Sequence, residues 1–293
     1  MPEGDTIHRA AQTLHQALGG RTVTTFTSVF PHLTRIDDTT PLAGRVIERV
    51  QARGKHVLMW FSGDLVLRTH MRMHGSWHIY RPGERWQRPR HEMRVIIETD
   101  AFHAIGFSIP VAELTLARDL ERTGPLQQIG PDILADDFNP EDAVARLRAR
   151  GDFEIADALL DQSALAGIGN VYKSEVLFAA KVNPFVRVAD VSDEQLRDIV
   201  AIATRFLRAN VPGKSVSQAQ DTDLVGRGFS PGESTYTGLR RTTGRADPSA
   251  RLWVYGRAGK PCRRCGTAIS RRRQGPNARS TYWCERCQHG VRS

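Results

Sequence analysis

The chain has no apolar run longer than a β-strand, so no segment of it can cross a bilayer as a helix. Its beginning lacks the basic segment and apolar core of a signal peptide, because Glu3 and Asp5 stand where positive charge is needed. A cytoplasmic protein without a membrane anchor is the expectation. Cysteine is scarce, with 4 in 293 residues, which argues against a disulfide scaffold. Acidic residues are in deficit: 32 Asp and Glu against 41 Lys and Arg leave a formal charge of +9. Two readings of that balance stand, a polyanionic partner such as nucleic acid and simple colloidal solubility. No internal repeat is present.

What is there divides into a β-rich and a helical half, and the length suffices for two cores. Apolar residues Ile7, Ala10, Ala11, Leu14, Ala17 and Leu18 recur at helical spacing and Gly19-Gly20 ends the run, which predicts a helix over Thr6–Leu18. The period then shortens. Arg21–Phe30, Arg45–Arg53, His56–Phe61, Leu65–Met71, Ser76–Tyr80, Met93–Thr99 and Ile109–Leu116 read as short strands between turn signals, which predicts an antiparallel sandwich or barrel. Gly124-Pro125 and Gly130-Pro131 punctuate a linker. Helices are expected over Ala143–Arg150 (capped by Asn139-Pro140), Phe153–Leu160, Asn170–Ala180 and Ser192–Asn210. Gly213–Ser249 reads as a long loop.

Three constellations carry chemistry. Cys262-x2-Cys265-x18-Cys284-x2-Cys287 supplies two knuckles whose four thiolates suit one tetrahedral, structural zinc in a hairpin; two disulfides or a redox pair are the competing readings. Arg271–Arg273 and Arg279 are expected at the tip and on the return strand of that hairpin, either as phosphate ligands or as a solvated basic face. Gly167-Ile168-Gly169-Asn170, ahead of a helix, lets backbone amides approach a phosphate, although the same letters make an ordinary turn and cap. At the other end, removal of Met1 would leave Pro2 as a secondary amine, expected at the first position of a helix. An α-amine titrates near 8 and the helix dipole lowers it further, so a nucleophilic fraction exists at neutral pH. Glu3 beside it could act as acid or base in covalent catalysis. Pro and Glu are also good first-turn residues, and by themselves they decide nothing.

The combination resembles the formamidopyrimidine-DNA glycosylase/endonuclease VIII family. Met1-Pro2-Glu3-Gly4, Gly54-Lys55-His56, Gly167–Asn170 and the four-Cys finger with Ala278-Arg279-Ser280-Thr281 occur in that order over nearly the whole chain. The resemblance implies an α+β multidomain protein. A catalytic domain over 2–130 would set an N-terminal helix on an antiparallel β-sandwich. A helix–two-turn–helix domain over 131–256 and a zinc finger over 257–293 would follow, with damaged DNA in the cleft between domains. It further implies a bacterial enzyme of base-excision repair with one structural zinc; a monomer with no small-molecule cofactor is the expectation. By it, Pro2 is the nucleophile, Glu3 the proton donor and Lys55 a phosphate contact that assists the chemistry. Asn170 and Arg279 pinch the phosphates, helped by the backbone at Gly167 and Gly169. Arg72-Met73-His74 falls where the family inserts its wedge, with Met73 as the intercalating side chain; a turn lysine and a core methionine are the plain readings of Lys55 and Met73. Pro-Glu-Gly, and the lack of Arg-x-Phe in Asp100–Phe107, lean toward the endonuclease VIII branch and oxidised pyrimidines. The 8-oxoguanine branch and a non-catalytic damaged-DNA binder are the alternatives. Retention of both Pro2 and Glu3 argues against a binder. The Gly213–Ser249 loop falls where the family covers a flipped base.

Overall fold

The first helix, α1 (Gly4–Leu18), keeps one face of Ile7, Ala10, Ala11, Leu14, Ala17 and Leu18 out of water, as its spacing predicts. The computed structural model describes residues 2–120, 122, 124–213, 240–243, 249 and 251–289. Of the Gly213–Ser249 loop only Gly213, Arg240–Thr243 and Ser249 are among them, and the rest lies outside the described residues. The chain divides into two compact units, one over Met1–Gln127 and one built on the residues described after it.

In the first unit eight strands form two four-stranded antiparallel sheets. One has the order β2 (Ile47–Arg53), β3 (His56–Phe61), β4 (Leu65–His70), β8 (Val111–Leu116). The other has the order β1 (Thr25–Ser28), β6 (Met93–Glu98), β7 (His103–Phe107), β5 (Ser76–Tyr80). Buried residues from both, among them Leu67, Met59, Trp77, Ile79 and Val95, share one core with the stripe of α1. At roughly 1.5–3 kcal/mol per large side chain, this burial is what holds the helix on the sheets.

Two differences from the sequence expectation have physical causes. The Arg21–Phe30 run gives only a short strand, β1. Its first residues bond elsewhere, the Val23 amide donating to the Arg45 carbonyl and the Ile47 amide to the Arg21 carbonyl, each at 2.8 Å. Pro31, fixed at a helical φ, then starts α2 (Pro31–Thr39) directly after it. Strand β7 was not among the expected ones; Gly106 and the turn residues before it break its β pattern, yet it pairs with both neighbours. A four-residue helix, α3 (Ala117–Leu120), follows β8.

The second unit is helical. Asn139 caps α4 (Pro140–Arg148) by accepting from the Glu141 and Asp142 amides, as the sequence predicts. Then come α5 (Ile155–Ala158), α6 (Asn170–Ala179) and α7 (Asp193–Arg208), the last opened by a Ser192–Gln195 capping box. The unit ends in an antiparallel hairpin, β9 (Ser270–Gln274) and β10 (Arg279–Trp283). Arg271, Arg272 and Arg273 lie on β9, not at the tip, which is Gly275–Ala278. Gly275 has φ +69, and a Cβ there would meet the Asp157 carboxylate at 2.4 Å, so this position favours glycine.

Candidate active site and nucleic-acid interface

Helix α1 begins at Gly4, with Glu3 as an extended N-cap, so Pro2 precedes the helix instead of opening it. Glu3 accepts the Ile7 amide through its backbone carbonyl at 3.0 Å, and its side chain does no capping. The residue is fully buried, while Pro2 is half-buried. A carboxyl kept from water beside the start of the chain is therefore a group with a purpose other than solubility.

Two turns leave the same end of the β3–β4 pair. Lys55 sits in the turn joining β2 to β3, where Gly54 takes φ +57. Arg72, at φ +51, opens the turn joining β4 to β5 and leaves Met73 exposed at 51%. Met73 is thus not a core residue, and a bulky apolar side chain at a turn tip suits a wedge. Beneath both turns lies a polar cluster that the sequence reading missed. His56 and His70 meet edge-to-face at 4.7 Å; His56 Nδ1 lies 2.9 Å from Arg68, and Arg68 pairs with Glu113 at 2.6 Å. His70 Nδ1 accepts the Arg72 amide at 3.0 Å, which fixes the base of the Met73 turn. The available signal was Arg68, a charge directly after the apolar run Leu65–Leu67 of a strand.

Burial first, and then the nearby His70 and Arg68, hold the His56 imidazole down to about 3; burial and then Arg72 hold His70 down to about 4. Both rings are neutral in the fold, whereas in the unfolded chain they take up protons near 6.5. Stability from this pair is complete above pH 6.5 and is lost as pH falls from there toward 4. For His56 alone the loss between pH 6.5 and 5 is expected to be about 2 kcal/mol. Urea unfolding at the two pH values should show it, with a clearly smaller drop in His56→Gln. Equal drops would remove the histidine as the cause.

In the second unit the Gly167–Asn170 turn is built as its letters demand. Gly167 has φ +101, a region closed to other residues, and its amide donates to Gln162 Oε1 at 3.2 Å. Gly169 is the N-cap of α6. Asn170, 6% exposed, donates one amide hydrogen to the Ser280 carbonyl at 2.8 Å. Its second amide hydrogen is unused among the described residues. This bond seats Asn170 beside the residue that follows Arg279, which is exposed on β10. The start of α6 and the return strand of the hairpin, which carry the two residues of the expected phosphate pair, are thus joined by this bond. Arg272 is not simply solvated, since its guanidinium lies 3.9 Å from the Phe185 ring centroid.

The hairpin is locked to the helices by buried polar contacts that no spacing announced. Lys173, fully buried, donates to Thr281 Oγ1 at 2.7 Å, and Thr281 donates to Gln274 Oε1 at 2.6 Å. Gln274 in turn donates to the Pro184 carbonyl at 3.0 Å and to Glu154. The Glu175 carboxylate accepts the Trp253, Val254 and Tyr255 amides at 2.7–2.9 Å, and also the Thr242 hydroxyl. Burial pushes its carboxyl up, against the pull of those four donors.

Cys262, Cys265, Cys284 and Cys287 are free thiols whose sulfur atoms all lie within 4.8 Å of one another. Cys262–Cys287 and Cys265–Cys284 stand at 3.9 and 3.4 Å, too far for disulfides and close to the ~3.8 Å edge of a ZnS4 tetrahedron with ~2.3 Å bonds. The donors fit one structural zinc, and four thiolates leave it no open position.

Three family models match the chain: the formamidopyrimidine-DNA glycosylase N-terminal domain over residues 1–109, the formamidopyrimidine-DNA glycosylase H2TH domain over 129–221, and the zinc finger found in FPG and IleRS over 259–290. A probable endonuclease 8 2 of Streptomyces coelicolor is 39% identical over 293 residues, covering 99% of this chain and 95% of its own. The Mycolicibacterium smegmatis protein named DNA-(apurinic or apyrimidinic site) lyase Nei2 is 36% identical, covering 98% of this chain and 99% of its own. The fold is similar to that of Lactococcus lactis Fpg solved with DNA containing an abasic site, at TM-score 0.79 and 21% identity, covering 98% of this chain and 100% of that one. Sandwich, H2TH helices and cysteine finger together define a DNA-repair glycosylase. The chain belongs to the formamidopyrimidine-DNA glycosylase/endonuclease VIII family, and it is a bifunctional DNA glycosylase and AP lyase of base-excision repair. Among the described residues no helix is long and apolar enough to cross a membrane.

Proposed function

We propose that this enzyme removes oxidised bases from DNA, pyrimidines in preference to 8-oxoguanine, through a Schiff base on Pro2. The observation that carries the reading is the fully buried Glu3 carboxyl directly after a proline that becomes the N-terminus once Met1 is gone. The Pro2 nitrogen lone pair attacks C1′ of the flipped nucleotide, the glycosidic bond breaks, and the base leaves with its electron pair and a proton. Glu3 protonates the ring oxygen as the sugar opens to the iminium. Loss of the 3′ and then the 5′ phosphate follows (β,δ-elimination), and water releases the enzyme. Lys55 contacts a phosphate near the reacting sugar. Asn170 and Arg279 hold the strand on either side of the lesion, with the Gly167 and Gly169 backbone lining the approach. Met73, oriented by Arg72, fills the gap left by the flipped nucleotide.

The functional modules are 2–130, 131–256 and 257–293, acting as a cytoplasmic monomer. The pyrimidine preference leans on the relatives named endonuclease 8 and on the lack of Arg-x-Phe in Asp100–Phe107. Borohydride trapping on duplexes carrying an abasic site, 5-hydroxyuracil, thymine glycol or 8-oxoguanine tests both parts. Strong adducts with the abasic site and both pyrimidines, and a weak one with 8-oxoguanine, are expected. An 8-oxoguanine adduct that forms fastest would move the enzyme to the purine branch. No adduct on any duplex, with DNA still bound, would leave a binding protein.

A further inference from the structure

Strands β5 and β6 both pair antiparallel with β7, so they run in the same direction on either side of it. The connection between them must therefore travel from the Tyr80–His103 end of the sheet back to the Phe107–Met93 end. It does so over the face opposite the core, where Trp86 packs with Tyr80, Ile105 and Phe107. Only a few apolar residues anchor it, and its charged residues are mostly arginine: Arg81, Arg85, Arg88 and Arg90, against Glu84 and Glu92.

The crossing encloses a depression of about 640 Å³, lined by Glu84, Arg85, Trp86, Arg88, Arg90 and His103 among others. Its charges are not cancelled from within. Arg88 is taken by Glu92, and Glu84 accepts the Arg81 amide at 3.0 Å. Arg85 and Arg90 are exposed and make no ion pair among the described residues. The Trp86 ring stands edge-to-face on Phe107 at 5.7 Å, and the Arg90 guanidinium lies 5.4 Å from its centroid. A half-buried indole with guanidinium groups beside it that are not neutralised by carboxylates is the arrangement that stacks a nucleobase and holds its phosphates. A solvated basic surface has no need of the ring or the cavity. One wall of the site, His103, lies beside Tyr80 at the end of β5 away from the Met73 turn, about 13 Å along the strand at roughly 3.3 Å per residue.

We propose that this pocket is a second nucleic-acid site, which takes a nucleotide of single-stranded DNA with its base against Trp86 and its phosphates on Arg85 and Arg90. It stands apart from the lesion chemistry and rests on the family reading only in that DNA is at hand. The full-length, zinc-loaded protein is first saturated with a short abasic-site duplex trapped by borohydride. A labelled oligothymidine of about 12 nucleotides, within the usual span of a single-strand site, is then titrated against it and followed by anisotropy.

The oligothymidine should bind the trapped complex, and Arg85→Glu/Arg90→Glu should weaken it on the order of tenfold, as should Trp86→Leu. An equal charge reversal elsewhere on the same unit, Arg35→Glu/Arg118→Glu, should cost at most about twofold, the share of general electrostatic attraction. Trapping on the abasic duplex should proceed as in wild type in all three variants, so a failure of the catalytic reading would appear there and not in the titration. Loss of oligothymidine binding on saturation with duplex would place it in the lesion site and overturn the proposal. So would equal weakening by the two charge reversals, or an acidic peptide that binds the pocket when oligothymidine does not.

Discussion

Protein whose Pro2 nitrogen is acylated, by retention of Met1 or by chemical acetylation, is expected to form no trapped adduct on an abasic-site duplex. An amide nitrogen has no lone pair to give C1′, so the loss should reach the ~10⁴-fold or greater range that follows removal of a catalytic nucleophile. Binding of the same duplex should stay within a few-fold of the processed protein, because α1 is fixed by its apolar stripe and not by its first residue. The comparison needs both measurements. Adduct formation by fully blocked protein, verified by mass, would mean that another amine (Lys55 being the first to test) carries the covalent step.

Removal of zinc should have the second largest effect. The four thiolates converge with no other covalent tie between the knuckles. Structural zinc contributes roughly 10–16 kcal/mol in small finger peptides, more than the few buried side chains around these cysteines can replace. Loss of the metal should therefore unfold the β9–β10 hairpin. Asn170 would then lose its bond to Ser280, and Lys173 would be left buried with its partner Thr281 gone. Two phosphate contacts at ~1.5 kcal/mol each, those of Asn170 and Arg279, predict about a hundredfold weaker DNA binding. The strands of the first unit should keep their hydrogen-exchange protection. Chelation with verified metal loss and unchanged affinity would show that the finger takes no part in binding.

Much of this was legible in the sequence, for identifiable reasons. The α1 stripe, the β-rich first half, the Asn139 cap and the cysteine knuckles each write a local rule, a period or a spacing, directly into the chain. The terminal Pro2-Glu3 pair was ambiguous by itself and gained meaning only with Gly54-Lys55-His56, Gly167–Asn170 and the finger in order. What escaped were residues whose reason lies in distant partners. Lys173, Glu175 and Gln274 look like ordinary surface letters, yet each is buried against a segment at least 67 positions away. The arginine triplet was misplaced because the spacing between cysteines does not say where the hairpin turns; Gly275, forced to a left-handed φ against Asp157, decides it. The crossing of β7 was likewise invisible, being a property of strand order.

The β3–β4 register has one more consequence. Val57 faces Thr69 and Leu65 faces Phe61, so the ladder runs unbroken from the Ser62–Asp64 turn to the His56–His70 pair. The far turn thus works as a ruler for the near end. One residue inserted between Ser62 and Asp64, if it slipped the pairing by a single step, would turn every side chain of one strand to the opposite face. Lys55 and Met73 would then part company by about 3.3 Å without either having been touched.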